Sequence, residues 1–192
     1  MDSAIGFTTF DTAIGVCGVA WGDNGLVGVQ LPVEDALRVT DRFTQRFPSA
    51  SEQAPPEAVT RCISDIQALL RGQRPDFADA PIDLCDAPEF NRRVFDIARR
   101  VLPGSTTTYG AIAEELGDRS VARAVGQALG HNPLPLIIPC HRVLAAGGQA
   151  GGFSAPGGVN TKLRILRIEG AAAAVVGQLG LFETGPAKGA GA

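Results

Sequence analysis

The order of the elements constrains the fold most. Every stretch of this 192-residue chain that reads as a strand comes before residue 32, and the remainder reads as helix or loop. Phe7-Thr8-Thr9-Phe10 and Ile14 to Trp21 are rich in apolar and β-branched residues. Gly22-Asp23-Asn24-Gly25 is a turn signal, and Leu26 to Leu31 is the return strand. Glu34 to Phe47 is a candidate helix. Pro56 to Leu70 is another, with Val59, Ile63, Ile66, Leu69 and Leu70 at helical spacing. Residues 71–87, with several Pro and Asp, read as a linker. Strands first and helices after them define an α+β class.

The second half is mostly helical. Pro88 opens a helix with Phe90, Val94, Ile97, Ala98 and Val101 on one face, and Pro103-Gly104 stops it. Thr107 is the expected cap of a short helix carrying Ile112, Ala113 and Leu116, which Gly117 ends. Ser120 is the expected cap of a second short helix ending at Gly130. Two short helices about a tight turn resemble a helix-turn-helix. Leu134 to Ile138 is a short buried run, Gly147 to Gly158 a glycine-rich loop, and Val159 to Glu169 a last helix. The expected division is residues 1–85, residues 86–172, and a flexible Ala/Gly-rich tail over 173–192.

Composition excludes several classes. With 45% apolar and 19% charged residues the chain is globular rather than disordered. No run approaches the ~18 apolar residues of a membrane span. The start, Met1-Asp2-Ser3, lacks a basic segment followed by an apolar one, so the expectation is a cytoplasmic protein without a secretory signal. Cys17, Cys62, Cys85 and Cys140 form no C-x-x-C pair, and His131 and His141 are the two histidines. That inventory speaks against a zinc site or a disulfide framework, so no metal or other cofactor is expected. Charge is split: residues 1–85 hold 6 Arg against 12 Asp and Glu, whereas residues 86–170 hold 9 Arg and 1 Lys against 7. A basic second half suits a polyanionic partner, although drift of surface charge gives the same numbers.

Helical geometry sorts residues 120–130. Val121, Val125, Ala128 and Leu129 form the apolar stripe. Arg123 lies about 200° from Val121 at ~100° per residue, so it faces away from the core. Gly126, Gln127 and Gly130 share its face. Such a low profile lets a helix approach a nucleic-acid groove closely, with one long Arg reaching in. A plain amphipathic helix with its Arg in water has the same pattern.

Cys140 follows the buried run and a proline that fixes the backbone, and His141 and Arg142 follow it. A thiolate is the reactive form of cysteine, and a nearby base or cation favours it. Adjacent residues seldom face one another in a strand, so His141 would act on Cys140 across a turn or through a water. Glu169, at the last turn of the last helix, is a candidate orienting partner for His141. Its carboxylate opposes the helix dipole there, so either another interaction holds it or it is a surface residue.

Asn132-Pro133-Leu134-Pro135-Leu136-Ile137-Ile138-Pro139-Cys140-His141-Arg142-Val143 resembles the active-site signature of the methylated-DNA–protein-cysteine methyltransferases, the O6-alkylguanine-DNA alkyltransferases. The resemblance is strong over residues 86–170. It is weaker over 1–85, which look like that family's ribonuclease-H-like N-terminal domain. It implies a winged-helix-like second domain that docks in the DNA minor groove as a monomer. It implies a repair protein that flips O6-alkylguanine, and O4-alkylthymine, out of duplex DNA and moves the alkyl group irreversibly onto Cys140. His141 would be the base through a water, Glu169 its orienting partner, and Asn132 the tie between helix and active-site segment. Tyr109 would assist flipping and give the purine a hydrogen bond, and Arg123 would fill the vacated stack beside Gly126 and Gln127. Val143, Phe153, Ser154 and Lys162 would belong to the substrate pocket. Two extra residues within Ala155-Pro156-Gly157-Gly158 bear on the pocket's width.

Three other readings compete. A lesion-binding relative without transfer lacks the acceptor cysteine, which this chain has. A helix-turn-helix transcription regulator would prefer one DNA sequence and leave Cys140 unreactive. A cysteine hydrolase would need an oxyanion hole, for which the spacing gives no signal.

Overall fold

The computed structural model describes residues 4–33 and 37–171. The first residues of the expected helix at Glu34 and the whole of the expected tail, 173–192, lie outside them.

The strand-rich start folds as two tight hairpins. β1 (Gly6–Thr12), β2 (Gly15–Gly22) and β3 (Gly25–Gln30) are antiparallel neighbours, and β4 (Ser51–Glu52) joins β1 in parallel, giving the order β3-β2-β1-β4. Alternate residues sort to opposite faces. Phe7, Ala20 and Val27 meet Val39, Phe43 and Phe47 around α1 (Leu37–Arg46). Cys17, Val19 and Trp21 face the other way, into a core shared with Val59, Cys62 and Ile66 of α2 (Glu57–Leu70). Two glycines set the depth of α1. A Cβ on Gly18 would overlap the Phe43 ring, and one on Gly28 would stand 3.0 Å from the Phe47 ring. Both rings therefore come up against bare backbone.

The segment read as a linker is docked. Leu26 N–H donates to Pro81 O at 2.7 Å, Asp83 N–H donates to Leu26 O at 2.8 Å, and Val29 N–H donates to Pro133 O at 2.9 Å. An otherwise open strand edge is thus covered, partly by the residue next to Asn132. Gly25 adopts φ +138°, and a Cβ there would sit 2.4 Å from Pro81 O. Only glycine permits both.

After residue 86 the chain builds α3 (Glu89–Arg99), β5 (Thr107–Thr108), α4 (Tyr109–Glu115), α5 (Ala122–Gly130), β6 (Val143–Leu144) and α6 (Gly158–Ile168). α3 buries Val94, Phe95, Ile97 and Ala98, while Phe90 is only half-buried. Phe95 lies off the expected stripe, so the buried face is wider than one stripe. A buried Phe or Ile contributes about 1.5–3 kcal/mol. Two caps differ from expectation. Thr108, not Thr107, caps α4 by accepting from Ala111 N–H at 3.1 Å, because β5 keeps both threonines extended against β6. Asp118, not Ser120, accepts from Ser120 N–H at 2.8 Å and opens a 3₁₀ turn over Arg119–Val121. α5 therefore begins at Ala122, and Arg123 is its second residue.

The chain is a mixed α+β protein with one small four-stranded sheet, helices, and a two-stranded pairing of β5 with β6. Its largest core contains Val19, Leu26 and Leu31 from the sheet. It also contains Val94, Ile112, Val125, Leu134, Leu136, Ile137, Ile138, Val143 and Ile165 from the second half. The run 134–138 passes through the middle of the molecule. Among the described residues no helix is long and apolar enough to cross a membrane.

Candidate active site

The loop before Cys140 is held by one side chain. Asn132 Oδ1 accepts from Leu134 N–H at 2.9 Å, and its Nδ2 donates to Ile138 O at 2.8 Å and to Cys140 Sγ at 3.2 Å. The loop is tight enough that the buried Leu136 takes φ +77°, a conformation costing a non-glycine residue roughly 1–2 kcal/mol. Asn132 thus connects the end of α5 to the sulfur.

Cys140, His141 and Arg142 form a 3₁₀ turn. Three residues per turn send successive side chains about 120° apart. His141 and Arg142 turn to the end of α6, and Cys140 faces elsewhere. His141 Nε2 lies 2.9 Å from Glu169 Oε1. Arg142 grips the same carboxylate with Nε on Oε2 at 2.9 Å and Nη2 on Oε1 at 2.8 Å, and its Nη1 donates to Val101 O at 2.6 Å. All three residues are buried. Sequence reasoning assigned no site role to Arg142. It is what lets a carboxylate sit at a helix C-terminus against the dipole.

The protonation states follow. Burial opposes the charge of Glu169, but the bonds from His141 and Arg142 outweigh it and hold the carboxyl at about 2. Burial pulls the imidazole of His141 below its ordinary value, against the pull of Glu169. The pair is therefore carboxylate and neutral imidazole at neutral pH, with Nε2–H donating. That tautomer leaves Nδ1 as an acceptor, and Nδ1 is buried with no hydrogen-bond partner among the described residues. Burial raises the Cys140 thiol, and the Asn132 hydrogen bond and the Lys162 charge only partly offset this. The resting sulfur is a thiol.

Lys162 is fully buried on α6. Its Nζ donates to Val143 O at 2.6 Å and lies 5.9 Å from the centre of the Tyr109 ring. Burial lowers it to about 8, with Cys140 pulling the other way. Burial, then the neighbouring Cys140, raises the Tyr109 phenol, so it stays protonated at neutral pH.

Cys140 lines a cavity of about 540 Å³ with Tyr109, Arg123, Gly126, Phe153 and Ser154. α5 provides one wall and the 152–154 segment the other. A Cβ on Gly126 would contact the Tyr109 ring at 3.8 Å, so glycine keeps this wall low. Arg123 and Gln127 are exposed on α5, and Gln127 lies outside the lining. Val143, Lys162, Asn132, His141 and Glu169 are likewise not part of the lining. Of the residues expected in the substrate pocket, Phe153 and Ser154 line the cavity, whereas Val143 and Lys162 are buried outside its lining. Among the described residues no group of three His, Cys, Asp or Glu could hold a metal ion.

A cysteine at the floor of an open cavity, backed by a histidine–carboxylate pair and faced by an arginine-bearing helix, belongs to a protein whose chemistry runs through sulfur. A family model described as the DNA binding domain of 6-O-methylguanine DNA methyltransferase matches residues 89–171. A methylated-DNA–protein-cysteine methyltransferase of Methanothermobacter thermautotrophicus is 35% identical over 153 residues, covering 80% of this chain and 78% of that protein. A DNA base-flipping protein of Thermus thermophilus is 39% identical over 139 residues, covering 70% and 92%. The structure of Mycobacterium tuberculosis OGT in complex with DNA matches with a TM-score of 0.70 at 30% identity, over 87% of this chain and 94% of that one. The chain belongs to the methylated-DNA–protein-cysteine methyltransferase family.

Proposed function

We propose that this chain repairs O6-alkylguanine, and O4-alkylthymine, in duplex DNA by moving the alkyl group onto Cys140, once per molecule. The observation that carries the reading is the position of Cys140, at the floor of a cavity whose wall is the low, arginine-bearing face of α5.

A base stacked in a duplex cannot reach a protein sulfur, so the nucleotide turns out of the helix into the cavity, at a cost of a few kcal/mol. The protein docks as a monomer in the minor groove, where the glycine face of α5 fits closely and Arg123 fills the gap in the stack. Phosphate contacts make binding salt-dependent. The ribonuclease-H-like first half contributes the sheet edge on which Pro133 and the acceptor loop rest.

His141 Nδ1 takes the thiol proton of Cys140 through a water, and Glu169 steadies the imidazolium that results. The thiolate attacks the alkyl carbon in line, forming the S–C bond as the C–O6 bond breaks. The electron pair stays with the purine, which gains a proton by way of the Tyr109 hydroxyl. The proton lost by Cys140 balances the one the guanine gains. Among the described residues no group near the sulfur offers a route to cleave a thioether, so the product ends the reaction.

Peptide mapping after incubation with O6-methylguanine DNA tests this. One methyl on the Cys140 peptide, absent in Cys140→Ala, is the expected result. Repair beyond one equivalent overturns the single-turnover claim, and an unlabelled Cys140 overturns the reading.

A further inference from the structure

Cys140 also lines a second, smaller cavity of about 160 Å³ on the sheet side of the 153–156 segment. By volume it has room for about five water-sized groups. Its lining is polar: Arg42 and Arg46 from α1, Gln30 at the end of β3, Asn132 and Ser154. No Asp or Glu is among the described residues that line it. The arginines reach it because α1 lies so close to the sheet. Arg46 Nη1 is 3.5 Å from the place a Cβ on Gly28 would occupy, and its guanidinium stacks 4.8 Å from the centre of the Phe47 ring. Arg42 is one turn earlier on the same helix face.

Methyl transfer makes no use of this space. In an in-line displacement the sulfur, the carbon and O6 are collinear, and anything further on that carbon projects sideways from the axis. Cys140, Phe153 and Ser154 line both cavities, so with the base in the larger one the smaller one lies beside the reacting carbon. We propose that this cavity is a subsite for an acidic substituent on O6, a carboxyalkyl group of about carboxymethyl size, with Arg42 and Arg46 as its charge partners. The inference rests on the alkyl-transfer reading above. The step balances in the same way: Cys140 Sγ bonds to the methylene carbon, the C–O6 bond breaks with its electron pair on the purine, and the thiol proton is replaced by one on guanine. The carboxylate keeps its charge throughout.

Single-turnover transfer to the full chain is measured on duplexes differing only in O6-methyl, O6-propyl or O6-carboxymethyl guanine. Comparing each variant with the wild type cancels the intrinsic reactivity of the adducts. Two partly screened ion pairs predict that the carboxymethyl-to-propyl rate ratio falls about three- to tenfold in Arg42→Gln/Arg46→Gln. It falls by less in Arg42→Gln, whose exposed side chain can be changed without loss of the fold. Arg42→Lys/Arg46→Lys keeps most of the ratio, and higher salt lowers it in the wild type. A ratio unchanged in the glutamine variants overturns the proposal. So does an equal fall for all three adducts, which would assign the arginines to a DNA phosphate. Absence of methyl transfer to the wild type overturns the underlying reading and this subsite with it.

Discussion

Glu169 Oε1 stands 2.9 Å from His141 Nε2, and the same carboxylate accepts two further bonds from Arg142. One buried charge thereby orients a histidine and neutralises an arginine. Glu169→Gln leaves Arg142 buried without a counter-charge and should lower stability by about 3 kcal/mol. In the proposed mechanism it also removes the partner of the imidazolium, so transfer slows even where the protein is folded. Denaturant melts and single-turnover rates measure the two effects separately.

The same carboxylate sets an acid limit. Its pKa is about 2 in the fold, below the ordinary 4.5. A depressed carboxyl stabilises above its unfolded pKa and loses that contribution as pH falls through its folded one. The wild type should therefore lose stability progressively between about pH 4.5 and 2, and Glu169→Gln should show a shallower decline over that window. Thermal midpoints across pH are the check.

Transfer itself should have a different acid limb. As the proposed acceptor of the sulfur proton, His141 can act only while neutral, and burial holds its pKa below 6.5. The rate is expected to be level near pH 7 and to fall with a midpoint under 6.5. A midpoint at or above that value would show that the imidazole is not the acceptor.

The three antiparallel strands, the hairpin turn and the order of the helices were legible in the sequence because strands and helices have separate stretches with clear periods, whereas the two-residue strand at Ser51–Glu52 is too short to show one. The convergence of Cys140, Asn132, His141 and Glu169 was legible only through the signature around Cys140. Spacing alone left Glu169 as either partner or surface residue. Arg142 was missed because an arginine after a histidine reads as a solvated cation until the end of α6 is placed opposite it. The caps slipped by one or two residues where adjacent Thr, Asp and Ser all compete for the role. The docking of residues 81–83 was hidden because its partner is the backbone of Leu26, which leaves no pattern in side chains.

Asn132→Ala should loosen the acceptor loop. It removes the bonds to Ile138 O, Cys140 Sγ and Leu134 N–H together. Unsatisfied buried groups cost about 1–3 kcal/mol each, less where water can enter. A loss of roughly 2–3 kcal/mol is expected in denaturant melts, with slower alkylation of Cys140 by a small free electrophile because the thiolate loses a donor.

Gly126 separates stability from function. In the interior of α5 it costs the helix up to ~1 kcal/mol relative to alanine, and a Cβ there meets the Tyr109 ring only at ordinary contact distance, 3.8 Å. Gly126→Ala should therefore raise the melting temperature slightly. Gly126→Leu fills the cavity that Cys140 shares with Arg123, so transfer from duplex DNA should fall by at least a hundredfold while the fold persists. Arg123→Ala provides the contrast: its exposed side chain should leave stability within about 0.5 kcal/mol. With Arg123 in its proposed place in the stack, the substitution should slow transfer from duplex DNA on the order of a hundredfold, yet spare transfer from a free O6-alkylated base. Equal loss with both substrates would show that Arg123 acts inside the cavity rather than on the duplex.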